Sequence, residues 1–122
     1  MHSHPLLLVL VGVALLLMMP SPPSPLVSLA FVVTGRVQGV FFRKFTHQQA
    51  VALDLVGHVR NVRDGTVAGQ LQGSRPNVDR MKTWLETTGS PSSVIYKVEF
   101  SNERELLKLE YDGFEIRPTT LG

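Results

Sequence analysis

The sequence predicts an α+β sandwich in the order βαββαβ, with a short extra C-terminal strand. Three observations predict it: apolar runs and period-two alternations that read as strands, two stretches with apolar residues at helical spacing, and glycine or proline between them. At 122 residues the chain has room for one small domain. All 22 charged side chains lie beyond residue 30. The chain therefore divides into an apolar and Pro/Ser-rich leader over 1–25, a domain over 26–118 and a tail over 119–122.

The leader carries an apolar run from Leu6 to Met19, broken by Gly12. As a helix it would be about 21 Å long, short against a ~30 Å hydrocarbon core. That length suits the apolar region of a signal peptide, and Ser28-Leu29-Ala30 offers a small-x-small cleavage pattern. Against secretion, residues 1–30 hold no Lys or Arg, and the cut would fall inside the first strand. A membrane-associating tail and an atypical start are the other readings. Pro20 to Pro25 cannot continue a helix and reads as an extended spacer.

Val27 to Thr34 reads as a mostly buried strand. Arg43 to Leu53 is the first helix, with Phe42, Thr46, Ala50 and Leu53 on one side, and Gly57 is expected to end this unit. Val56 to Val62 is the second strand, Asp64-Gly65 a hairpin turn, and Thr66 to Gln72 the return strand. Gly69 within that strand points to close packing against a helix or to a bulge. Ser74-Arg75-Pro76 opens the second helix with a capping residue and an early proline. Its inward stripe is Val78, Met81 and Leu85 with Trp84 at the edge, and Gly89 and Pro91 stop it. Tyr96, Val98 and Phe100 alternate with polar residues as a strand with one wet face, and Phe114 and Ile116 make the short last strand. This order is the ferredoxin-like double split βαβ arrangement.

The run from Gly35 to Arg43 joins the first strand to the first helix. Glycines let successive N–H groups face one concavity, and the helix's first turn adds free N–H groups and positive potential. Arg43 adds a permanently charged planar fork that matches two phosphate oxygens. A strand-to-helix turn with a surface arginine has the same spacing. Asn61, beside the hairpin, reads by frequency as a turn former. Equally, its carboxamide can accept a hydrogen bond from water and donate another without placing negative charge beside a phosphate. Its strand is expected to lie next to the strand that feeds the loop.

Gly35-Arg36-Val37-Gln38-Gly39-Val40-Phe41-Phe42-Arg43 resembles the signature of the acylphosphatase family. Gly57-His58-Val59-Arg60-Asn61 with Asp64-Gly65-Thr66-Val67 resembles its second signature, and Trp84-Leu85-Glu86 with Gly89-Ser90-Pro91 matches vertebrate-type members. The similarity covers about residues 28–117. It implies hydrolysis of the carboxyl-phosphate bond of acyl phosphates to carboxylate and inorganic phosphate. Arg43 and the backbone N–H groups of Gln38, Gly39, Val40, Phe41 and Phe42 would hold the phosphate. Asn61 would position the attacking water, as the family's water-positioning asparagine does. The resemblance implies a cytoplasmic enzyme that works as a monomer on small acyl phosphates or on the phosphorylated-aspartate intermediates of pumps. Membrane association would come through the leader.

No metal and no cofactor is expected, since His47 and His58 lie too far apart in sequence for a ligand pair. Net charge is +2, too weak and dispersed for a nucleic-acid partner. RNA-recognition modules share the βαββαβ order but stack bases on strand aromatics, and Thr66 to Gln72 has none. A domain that binds the anion without turnover would keep the cradle, and the presence of both Arg43 and Asn61 argues against it. Lys44, Arg36 and Arg60 read as solvated charges. Three departures from the family pattern stand out, one of them Phe45 in the first helix, where a polar residue is common. His58 takes a position that is usually tryptophan. Residues beyond Arg117 put in doubt the pairing of a terminal carboxylate with the active-site arginine.

Overall fold

A computed structural model describes residues 23–122. The expectations for the leader through residue 22 lie outside the described residues. Among those described, no helix is long and apolar enough to cross a membrane. The elements run β1 (Leu26–Arg36), α1 (Phe42–Ala52), β2 (Val56–Asn61), β3 (Val67–Ser74), α2 (Arg75–Thr87), β4 (Val94–Leu106) and β5 (Phe114–Ile116). One five-stranded sheet has the order β4-β1-β3-β2-β5, antiparallel except for the β2–β5 pair. The expected α+β ferredoxin-like sandwich with its extra strand is the architecture found.

The core forms where one sheet face meets the two helices. Val27, Leu29, Phe31 and Val33 alternate inward along β1 and are at most 1% exposed. They join Val59, Val67 and Leu71 from the sheet, Phe42 and Ala50 from α1, and Val78, Met81 and Leu85 from α2. Each Val, Leu, Phe or Met side chain among them contributes roughly 1.5–3 kcal/mol on burial. A chain cut after Ala30 would lose Val27 and Leu29 from this set, with the first half of the β1 ladder to Ser74–Gln70.

Several local expectations are corrected. β2 does not lie beside β1, because β3 stands between them. Gly57 lies inside β2 and does not cap α1; the helix ends at Ala52 with Leu53 as its C-cap, and the left-handed residue after that is Asp54 at φ 57°. Gly69 is crowded by the Phe31 ring of β1 and the His58 carbonyl, not by a helix. Ser74 occupies the N-cap of α2, yet its side chain makes no capping hydrogen bond.

The alternation in β4 also breaks. Val33 pairs with Val98 and Thr34 with Lys97, but Gly35 pairs with Ile95, so Tyr96 is an extra residue. A bulge flips the phase of a strand. Tyr96 is therefore 73% exposed, and Ile95 packs on the core in its place.

The face away from the helices carries a polar network that the sequence reading did not anticipate. The Nε2 groups of Gln70 and Gln72 both donate to Ser28 Oγ at 3.1 Å. Gln72 also donates to Glu110 Oε1 at 2.7 Å and accepts from the Glu110 N–H at 2.9 Å, while Tyr111 donates to Gln70 Oε1. These bonds hold the β4–β5 connection over the sheet. They satisfy Gln72, which is fully buried.

Candidate functional site

Beyond β1 the chain turns through residues 38–41 and enters α1. Gly39 sits at φ 72° with open space where a Cβ would stand, so its backbone conformation alone accounts for the residue type. Phe41, the N-cap of α1, is also left-handed, at φ 59°. A bulky residue there is strained, and such strain persists where surrounding structure imposes it. Phe45 N–H donates to the Phe41 carbonyl at 3.1 Å, which makes it the first closed turn. The N–H groups of the preceding helical residues therefore have no partner within the helix.

These elements border a cavity of about 460 Å³, lined by Val37, Gly39, Phe41, Phe42, Arg43, Lys44, Asn61 and Ile116. Its lining includes two cations and no carboxylate. With the positive end of α1, that composition favours an anion.

Arg43 is half-buried, and its Nη1 donates to the backbone carbonyl of Arg117 at 3.3 Å. Among the described residues no carboxylate pairs with it, so its charge stays available to a ligand. Asn61 closes β2, and its main-chain carbonyl accepts from the Thr120 N–H at 3.0 Å. Its carboxamide makes no hydrogen bond among the described residues and is free to take a water.

Asn61 thus reaches the cavity that Arg43 lines although β2 is not adjacent to β1. A bridge from the Gln38 side chain links the two parts. Its Nε2 donates to the carbonyls of Val62 and Thr66, at 2.7 and 2.8 Å. This fastens the loop after β1 to the β2–β3 hairpin. The hairpin is set in turn by Asp64 Oδ1, which accepts from both the N–H and the hydroxyl of Thr66. Those two hydrogen bonds hold the Asp64 carboxyl below the usual carboxylate range.

Of the expected cradle residues, Gly39, Phe41 and Phe42 line the cavity together with Arg43 and Asn61. Gln38 and Val40 are not among the lining residues: the Gln38 side chain is committed to the hairpin, and Val40 packs against the core. Lys44, read as a solvated charge, lines the cavity, and its Nζ lies 5.8 Å from the centre of the Phe41 ring. Val37 and Ile116 line it too, and neither was foreseen. Ile116 could be assigned only from the pairing of β5 with β2, which sets it opposite Val59.

His58 stands apart from the cavity. It is 8% exposed, edge-on to the Tyr111 ring, and its Nδ1 has no partner among the described residues. Burial, then the nearby Arg117 and Arg60 charges, push its pKa below the ordinary histidine value. Arg60 is bonded to the tail, its Nε donating to Thr120 Oγ1 at 3.0 Å. Among the described residues, no three His, Cys, Asp or Glu side chains come together as metal ligands.

A family model for acylphosphatase matches residues 29–116. Human acylphosphatase-1 is 52% identical over 93 residues, which cover 76% of this chain and 94% of that protein. Turkey (Meleagris gallopavo) acylphosphatase-2 is 51% identical over 90 residues, 74% of this chain and 87% of that protein. The crystal structure of acylphosphatase from Bacillus subtilis superposes with a TM-score of 0.68 at 30% identity, covering 75% of this chain and 98% of that one.

Proposed function

The chain belongs to the acylphosphatase family and hydrolyses acyl phosphates, and from that premise we propose how its own residues perform the reaction. The phosphoryl group is held by the Arg43 guanidinium and by backbone N–H groups between residues 38 and 43. The observation that carries this reading is the meeting of Arg43 from α1 and Asn61 from β2 in one cavity without an acidic lining residue. Asn61 holds a water in line with the bond from phosphorus to the acyl oxygen. The water oxygen bonds to phosphorus as that bond breaks, the carboxylate leaves with the electron pair, and the water's proton passes to the phosphate.

Phosphoryl transfer spreads charge over the equatorial oxygens, so positioning and charge stabilisation supply most of the rate. A carboxylate needs no strong acid to leave. The neutral carboxamide of Asn61 orients the nucleophile without repelling the anion, which an aspartate there would do.

The enzyme acts as a monomer in the cytoplasm, on free acyl phosphates or on phosphorylated aspartates of pumps. The burial of Val27 and Leu29 in the core supports that compartment, because cleavage after Ala30 would remove both side chains. Mass spectrometry of the protein from cells tests it: a mature chain starting at Phe31 would overturn the cytoplasmic assignment.

Phosphate release from acetyl phosphate and from phenyl phosphate, measured side by side, tests the chemistry. Turnover of the anhydride with little or none of the monoester is expected. Equal turnover of both, or binding of phosphate with no turnover of either, would overturn it.

A further inference from the structure

A second cavity, of about 400 Å³, opens between the helices and shares no lining residue with the one at Arg43. Phe45, Gln48 and Gln49 line it from α1, Trp84 from α2, and Ser90 and Pro91 from the α2–β4 connection. Spacings of three and four put the α1 trio on one face of the helix, beside the buried stripe of Phe42, Thr46 and Ala50. Phe45 is thus an aromatic on a half-buried helix face, at a position where the family commonly has a polar residue. Trp84 is half-buried as well, and its ring packs on Phe42 with centroids 6.0 Å apart. No charged residue lines the cavity, and the side chains of Gln48, Gln49 and Trp84 make no hydrogen bond among the described residues. Ser90 is 1% exposed, and its hydroxyl has no partner among the described residues. Its carbonyl, in contrast, accepts from both the N–H and the hydroxyl of Ser93. A buried hydroxyl without a partner is costly and calls for an explanation.

We propose that this cavity docks an uncharged, proline-rich segment of a partner protein in the polyproline II conformation. Grooves that read such segments are lined by aromatic side chains, on which the prolyl rings pack. Phe45 and Trp84 supply two, one from each helix. Proline has no N–H, and a polyproline II segment makes no internal hydrogen bonds, so its backbone mainly offers acceptors. The carboxamide N–H groups of Gln48 and Gln49, the Trp84 indole N–H and the Ser90 hydroxyl are uncharged donors that match them. A charged segment would lose water here and find no opposite charge. A helix, about 10–12 Å across, does not enter a cavity of this size, whereas the ring-sized side chains of an extended segment do. Such a segment is stiff before it binds, so docking costs it little conformational freedom.

Trp84 is the one tryptophan of the chain, so its fluorescence reports on this cavity. The probe is a capped synthetic peptide of proline and serine, titrated into the full chain, with a capped glycine–serine peptide of equal length as control. A saturable change in Trp84 emission is expected with the first peptide and none with the second. Phe45→Ser should weaken that binding roughly tenfold, the scale of losing an aromatic anchor, with its thermal melt showing that it is folded. Where that variant does not fold, Gln48→Ala, at an exposed helix position, should weaken binding severalfold. No saturable change with the proline peptide, an equal response to both peptides, or an affinity unmoved by substitution overturns the inference. A Trp84 shielded from acrylamide without peptide, and made accessible by combined Pro20→Ser, Pro22→Ser and Pro23→Ser, overturns it too, because the occupant is then this chain's own leader.

Discussion

The Arg43 guanidinium donates through Nη1 to the main-chain carbonyl of Arg117 at 3.3 Å, tying the first turn of α1 to the chain just beyond β5. A carbonyl orients the fork without cancelling its charge, as a carboxylate would. The partner of this arginine is a backbone carbonyl and not the terminal carboxylate of the family pattern. The same segment continues along β2: Arg117 N–H donates to Val59, Thr120 N–H to Asn61, and Arg63 N–H to Thr120. One stretch of C-terminal chain therefore positions both residues assigned to the reaction.

Arg43→Ala should lower kcat by about 10²–10³ or more, the usual scale for losing one preorganised donor to a transition-state oxyanion. Inhibition by inorganic phosphate should weaken in parallel. Arg43→Lys should be nearly as poor, because an ammonium cannot reproduce the planar fork. A lysine variant with near-normal turnover would remove Arg43 from its proposed role.

Asn61→Ala should reduce kcat on the order of 10²-fold, the scale of losing an aligned nucleophile. The inhibition constant for phosphate should hardly change, since the carboxamide is assigned to water and not to the anion. The Thr120 bond uses the Asn61 main chain, so the variant should keep it. If phosphate affinity collapses together with turnover, Asn61 belongs to the cradle instead.

Gln38→Leu removes the two hydrogen bonds that fasten the loop to the hairpin and leaves the carbonyls of Val62 and Thr66 without that donor. Urea unfolding should show a loss of about 1–3 kcal/mol, two bonds at ~0.5–1.5 kcal/mol each. Turnover should fall as well, because the bridge sets Arg43 and Asn61 in relation to each other. A variant as stable and as active as the parent would show that the bridge positions nothing.

The pH dependence of stability should expose His58. An unfolded chain binds this proton near the ordinary value of 6.5, and burial beside Arg117 and Arg60 lowers it in the fold, with Glu115 opposing in part. Below pH 6.5 the unfolded chain therefore binds more protons than the folded one, and stability falls until the pH passes the lowered value. The contribution is fully present above pH 6.5. Thermal melts from pH 7.5 to 5 should show the parent losing stability relative to His58→Phe as the pH falls. Parallel curves would mean that His58 titrates normally in the fold.

The element order was legible in the sequence, because it depends on local signals. Period-two and helical apolar spacing, Asp64-Gly65 at the hairpin, Pro76 early in α2 and Gly89 after it all act within a few residues. The same locality made the loop before Arg43 legible, with the motif resemblance pointing to Arg43 and Asn61. Features that depend on pairing between distant segments came from the three-dimensional fold. The place of β3 between β1 and β2, the bulge that turns Tyr96 outward and Ile95 inward, and the opening of Ile116 onto the cavity are all matters of register. Side-chain direction in a strand follows the partner to which it is bonded, and a single inserted residue reverses it. The bonds from Gln38 to the hairpin and from Arg43 to Arg117 span 24, 28 and 74 positions. No local pattern encodes such contacts, because they exist only once the sheet has brought those segments together.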